Sequence, residues 1–110
     1  MISVIMSTFN NEDSITTSIE SILNQTYDDF DFLIIDDDSQ DSTLDILKEF
    51  ESNDKRVKIF KNNENIGLTK SLNKLINLSN KKYIARQDAD DISLPKRLEL
   101  QINYIENGNI

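Results

Sequence analysis

The sequence predicts an α/β fold: a Rossmann-like doubly wound parallel sheet built as β-α-β-α-β-α-β-α, with strand order 3-2-1-4. Two observations predict it. Short, nearly continuous apolar runs, as expected of strands buried on both faces, alternate with stretches of helical apolar periodicity. The connections between runs are short enough for right-handed parallel crossovers. At 110 residues the chain holds one domain at most, long enough for a real core. Its 37% hydrophobic and 29% charged content fits a folded, soluble chain rather than a disordered tail.

Ile2 to Met6 is the first apolar run, followed by the polar loop Ser7-Thr8-Phe9-Asn10-Asn11. Ile15, Ile19, Ile22 and Leu23 recur at i, i+4, i+7 and i+8, the stripe of an amphipathic helix. Asn11, Glu12 and Asp13 supply its acidic, cap-forming start. Gln25-Thr26-Tyr27-Asp28-Asp29 breaks the pattern and turns the chain. Phe30 to Ile35 is a second apolar run, interrupted only by Asp31, and ends in Asp36-Asp37-Asp38-Ser39. Leu44, Leu47 and Phe50 mark the second helix, with Asp41 as its N-cap. Arg56 to Lys61 alternates through Val57 and Ile59, as an edge strand wet on one face does. Asn62 to Gly67 is loop, in which Gly67 serves a turn with positive φ. Leu68, Leu72, Leu75 and Ile76 mark the third helix, with Lys70 and Lys74 on its solvated face. Lys82 to Ala85 is the fourth strand. Pro95 suits the first turn of the last helix, whose inner face is Leu98, Ile102 and Ile105 and whose end is Gly108.

Composition narrows the function. A net charge of −8 argues against nucleic-acid partners, because the basic stripe that phosphate backbones require is missing. The chain has no cysteine and no histidine, which excludes disulfides, thiolate or imidazole metal sites and a histidine-based triad within it. No stretch approaches the ~20 apolar residues of a membrane span, and no signal peptide is visible.

The acid is concentrated in two places, at Asp36, Asp37, Asp38 and Asp41 and at Asp88, Asp90 and Asp91. Carboxylates so close repel one another by roughly 3 kcal/mol per pair at ~5 Å and an effective dielectric of ~20. A divalent cation, a basic partner or water around a solvated loop offsets that repulsion. Hard oxygen ligands suit Mg²⁺ or Mn²⁺, which commonly sit between one or two carboxylates and a substrate's phosphates. Ligands of a doubly wound sheet bind outside the carboxyl ends of the strands, at the switch point. Order 3-2-1-4 brings the loops Ser7–Asn11, Asp36–Ser39 and Asp88–Asp91 together there. Taken one residue at a time, Thr8 and Asn10 also read as turn and capping residues, and Asp36 and Asp38 as rim-solvating or helix-favouring acids.

Five blocks carry a resemblance. They are Ser3-Val4-Ile5-Met6-Ser7-Thr8-Phe9-Asn10, Ser21-Ile22-Leu23-Asn24-Gln25-Thr26-Tyr27, Ile35-Asp36-Asp37-Asp38-Ser39-Gln40-Asp41-Ser42-Thr43, Asn65-Ile66-Gly67-Leu68 and Arg86-Gln87-Asp88-Ala89-Asp90-Asp91-Ile92-Ser93-Leu94-Pro95-Lys96-Arg97-Leu98. In this order they resemble the family 2 glycosyltransferases of the GT-A fold, from Ser3 to about Ile105. The resemblance implies that residues 1–110 are the nucleotide-diphospho-sugar-binding first half of a GT-A domain. Thr8 would sit against the nucleotide's base, Asp37 would accept a hydrogen bond from the base, and Asp88 would lie near the ribose. Asp90 would ligate the Mg²⁺ or Mn²⁺ that bridges the donor diphosphate.

The same resemblance implies an inverting, metal-dependent transfer from a nucleotide-sugar, a UDP-sugar by preference, to a glycan or lipid-linked glycan acceptor. It also implies a cytoplasmic setting, at the inner face of the membrane for a full-length protein. The acceptor-binding half is absent, and the catalytic base is expected beyond Ile110, so the chain is expected to be inactive alone and to self-associate through the surface left uncovered. Ser7 departs from the family pattern, which commonly has proline there. A non-catalytic nucleotide-sugar-binding fragment or interaction module is the alternative. Aspartyl-phosphate phosphatases and receiver domains fit less well, because both place their acidic motif after the first strand, and here that strand ends Ser7-Thr8-Phe9.

Overall fold

In the computed structural model, which describes residues 1–107, four parallel strands alternate with four helices. They are β1 (Ile2–Thr8), α1 (Ile15–Leu23), β2 (Phe30–Asp36), α2 (Thr43–Asn53), β3 (Val57–Lys61), α3 (Leu68–Leu78), β4 (Tyr83–Arg86) and α4 (Arg97–Glu106). The sheet order is β3-β2-β1-β4, as the sequence predicts. Gly108, expected to close α4, lies outside the described residues.

Residue parity along the central strands divides the core. Ile2, Val4 and Met6 of β1 and Phe30, Phe32 and Ile34 of β2 pack with Ile15, Ile19 and Ile22 of α1, Leu47 of α2, and Leu98 and Ile102 of α4. Ile5, Leu33 and Ile35 point the other way, onto Leu72 and Leu75 of α3. Three helices therefore cover one face and α3 alone covers the other. Because the two faces of a strand alternate, both must be apolar in β1 and β2, which explains their continuous runs. Asp31, the lone interruption, accepts a hydrogen bond from Ser3 Oγ at 2.6 Å on the neighbouring strand.

Several boundaries differ from the expected ones. The strands β1 and β2 run on through Thr8 and Asp36, so polar residues the sequence assigns to loops belong to the sheet. α1 begins after a turn in which the amides of Ser14 and Ile15 both donate to the Asn11 carbonyl, so backbone rather than an acidic side chain starts it. Asp41 lies one residue before the N-cap position of α2, yet its carboxylate accepts the Thr43 amide at 2.9 Å and does the capping. Pro95 sits in the turn before α4 rather than in its first helical turn. That helix is capped from outside: Gln25 Oε1 accepts the Leu98 amide at 3.0 Å, and Gln25 Nε2 donates to the Leu94 carbonyl at 2.7 Å.

Not every residue of the predicted apolar stripes is buried. Leu68 and Ile76 of α3 and Ile105 of α4 are exposed, because the sheet of the described residues ends at β4 and gives their flank nothing to pack on. With Ile84, Leu100 and Tyr104 they surround the free edge of β4, and grooves of about 900, 590 and 330 Å³ open along it.

Burial separates two residues that the sequence pattern treats alike. Ile102→Ala should destabilise the fold by about 2–5 kcal/mol, whereas Ile105→Ala should stay within about 0.5 kcal/mol, both read from equilibrium urea unfolding.

Candidate functional site

The carboxyl ends of β1, β2 and β4 lie on one edge, with Thr8 in register with Asp36 and Ile5 with Arg86. The loops that leave these strands are woven together. Thr8 is buried, donates from Oγ1 to Asn11 Oδ1 at 2.7 Å, and accepts the Asp37 amide at its carbonyl at 2.9 Å. Asn10, at φ 52°, donates its amide to Ser39 Oγ and accepts the Gln40 amide, both at 2.8 Å. Asparagine is among the few side chains that tolerate this left-handed backbone. Thr8 and Asp37, two of the residues singled out from the sequence, thus meet at one point.

Asp37 is 3% exposed, and its carboxylate is bonded on both oxygens. Its Oδ1 accepts Asn62 Nδ2 and the Ile66 amide, and its Oδ2 accepts the Gly67 amide, each at 2.9 Å. Burial opposes its charge, but donors from Ile66, Asn62, Gly67 and Ser71 outweigh that and hold its pKa below the ordinary carboxylate value. The carboxylate therefore binds the loop before α3 first. Gly67 adopts φ 92° and ψ 165°, a region only glycine enters readily, which places its amide on Asp37. Lys74, expected on a solvated face, instead donates to Asn62 Oδ1 at 2.9 Å and completes this network.

Asp36 and Asp38 diverge from their neighbour. Asp36 is fully buried; Oδ2 accepts the Ser39 amide at 3.0 Å and Oδ1 has no partner among the described residues. Asp38, at φ 64°, is half-buried and pairs with Lys61 at 3.4 Å.

The turn after β4 presents its acids differently. Asp88 is half-exposed and pairs with Arg86 Nε at 2.9 Å. Asp90 and Asp91 are exposed. Asp91 does not cap the last helix: Lys96 holds the N-cap position, and Gln25 caps it from outside. Arg97 forms no ion pair among the described residues and instead binds Gln87, Ser93 and the Arg86 carbonyl. Desolvation lowers its pKa, and Asp91 partly offsets that.

The two acidic stretches share the rim but do not fuse: no group of three or more acids among the described residues is placed to hold a metal ion. The exposed carboxylate of Asp90 and the half-exposed one of Asp88 fit a cation that brings most of its ligands as water and phosphate oxygens. The largest groove lies on the outer side of this turn, lined by Arg86, Asp91, Leu94, Arg97 and Leu100, away from Thr8 and Asp37. Its exposed leucines mark it as part of the uncovered β4 flank. Asn62, Gln25, Ser18 and Gln87 also fix the site, though their residue types carry no signal in the local pattern.

Comparison with known proteins follows the same lines. A family model described as Glycosyl transferase family 2 matches residues 3–110. The chain is 48% identical over 110 residues to an uncharacterised glycosyltransferase of Methanocaldococcus jannaschii, covering 98% of this chain and 38% of that protein. It is 36% identical over 110 residues to the UDP-Glc:alpha-D-GlcNAc-diphosphoundecaprenol beta-1,3-glucosyltransferase WfgD of Escherichia coli, covering all of this chain and 43% of that protein. The crystal structure of S. aureus TarS 1-349 in complex with UDP is similar at a TM-score of 0.88 and 26% identity, over 96% of this chain and 32% of that one. The chain thus spans well under half the length of these proteins.

Asp37 gives the site a pH dependence with a defined sign. Its folded-state pKa lies below the unfolded one, so its stabilisation is full above the ordinary value of about 4 and is lost as pH falls further. Asp37→Asn should destabilise the chain near neutral pH by about 1–3 kcal/mol, since an amide nitrogen faces N–H donors. It should also flatten the acid limb, which urea unfolding between about pH 7 and pH 3 measures.

Proposed function

The chain belongs to glycosyl transferase family 2, and from that membership we propose that it binds the donor of a sugar transfer from a nucleotide-diphosphate sugar to a glycan or lipid-linked glycan. Its sheet order and its similarity to TarS place it in the GT-A fold class. The observation that carries the donor reading is the rim itself: Thr8, Asp36 and Asp37 meet at the ends of β1 and β2, and Asp88 and Asp90 present carboxylates from the end of β4. Thr8 and Asp37 would hold the base, Asp88 the ribose, and Asp90 a Mg²⁺ or Mn²⁺ ion. When bound, that ion neutralises the charge developing on the diphosphate as the sugar leaves. UDP is the favoured donor nucleotide, supported by the relatives named for UDP-Glc and UDP.

The chain's residues bind and orient the donor; on this reading the base that activates the acceptor for an inverting transfer comes from outside residues 1–110, and the chain alone holds donor without turnover. A cytoplasmic setting belongs to the same proposal. No helix of the described residues is long and apolar enough to cross a membrane.

Thermal unfolding with UDP, GDP, CDP and dTDP, each with and without Mn²⁺, tests the donor site. A nucleotide at ~100 times its dissociation constant should stabilise by about 2.7 kcal/mol. One nucleotide should raise the midpoint further with metal than without, and Asp90→Ala should abolish that metal-dependent gain; no shift with any nucleotide overturns the reading.

The isolated chain should also self-associate through the free β4 edge and the apolar residues around it, since uncovered edges and patches of this kind pair. Sedimentation at high concentration should show a dimer or larger assembly, and a clean monomer refutes it.

A further inference from the structure

The turn bearing Asp88 and Asp90 is fastened through its backbone rather than through its carboxylates. Ser18 Oγ of α1 donates to the Asp88 carbonyl at 3.0 Å, and Ser14 Oγ, from the N-cap position of α1, to the Ala89 carbonyl at 3.2 Å. Gln87 Nε2 donates to the Asp91 carbonyl at 2.8 Å, and the Asp91 amide closes the turn on the Asp88 carbonyl at 3.1 Å.

Gln87 is the hub of this arrangement and is 3% exposed. Its Nε2 also reaches Ser18 Oγ at 3.1 Å, while its Oε1 accepts Ser93 Oγ at 2.6 Å and Arg97 Nη1 at 3.0 Å. Arg97 spans the two ends of the turn, donating from Nη2 to the Arg86 carbonyl at 2.8 Å and from Nη1 to Ser93 Oγ at 3.1 Å. A guanidinium has no acceptor, so the Gln87 amide oxygen must face Arg97 and its nitrogen the Asp91 carbonyl. Every polar atom of this buried amide is used, and a fully satisfied network of this kind rigidifies what it holds.

We propose that Gln87 and Arg97 are positioning residues that set where Asp88 and Asp90 present their carboxylates. They thereby govern the metal-dependent part of nucleotide-diphosphate binding without touching the ligand. The proposal rests on the donor-site reading above. Mg²⁺ demands near-ideal octahedral geometry, so a carboxylate whose backbone drifts loses the ion before it loses its charge. Groups that orient the residues around a metal commonly change its affinity by 10–100-fold. Base recognition rests on Thr8 and Asp37, which belong to a separate hydrogen-bond network, so it should not move.

The test uses the 110-residue chain, with UDP and Mn²⁺ as probes. Gln87→Glu keeps acceptors for Arg97 and Ser93 but removes the donor to Asp91; Arg97→Lys cuts the latch from the other side. Calorimetry should give an unchanged UDP affinity without metal, and a Mn²⁺-dependent gain reduced by about tenfold in each variant. Hydrogen exchange at the Asp91 amide should quicken in both variants with no ligand present. A role confined to fold stability would lower both affinities in parallel, which overturns the proposal. So does a Mn²⁺-dependent gain kept within about twofold of the parent, an outcome that leaves the donor-site reading intact. A parent chain that shows no Mn²⁺-dependent gain overturns that reading, and the proposal with it. Should Gln87→Glu fail to fold, Arg97→Lys decides by the same measurements.

Discussion

A parallel sheet leaves all its carboxyl ends on one edge, and most of what is polar and buried in this chain is a response to that constraint. Four strands deliver four loops to the same rim, where backbone amides and carbonyls no longer find ladder partners. Thr8, Asn10, Asp36, Asp37, Ser39 and Gln87 supply the missing partners. Their side chains are short, polar and sharply directed, which is why the loops hold definite positions without secondary structure of their own.

Two networks divide this work, one on each side of β1. Asp37 gathers the loop before α3, and Gln87 gathers the turn after β4. Each buries a polar group that is unfavourable out of water unless fully bonded, and each is bonded by donors from a different element. A charge suits Asp37 because its carboxylate only accepts hydrogen bonds. A neutral amide suits Gln87 because it must donate to a carbonyl and accept from a cation at once. The separation leaves Asp90 exposed and Asp88 half-exposed with only Arg86 as its partner, so neither carboxylate is tied into the core.

The opposite flank has no such closure. Among the described residues α3 covers its face alone, and β4 keeps an unpaired edge ringed by Leu68, Ile76, Ile84, Leu100, Tyr104 and Ile105. The relatives that match this chain are more than twice its length. This apolar surface lies beside the acidic turn.

The sequence by itself determined the element order, the strand order and the rim to which the acids go, because each depends on periodicity and connection length, which are local properties. It also pointed to Gly67, since few residues other than glycine enter its backbone region. Tertiary structure decided which residues of each stripe are buried: Ile102 and Ile105 look alike in the pattern, and only the extent of the sheet separates them. It decided as well that Asp37 turns toward the loop before α3 while Asp36 turns away, a consequence of strand parity continued past the end of β2. The roles of Gln25, Gln87 and Lys74 arose the same way, since a hydrogen-bond partner up to 73 residues distant leaves no trace in the local pattern.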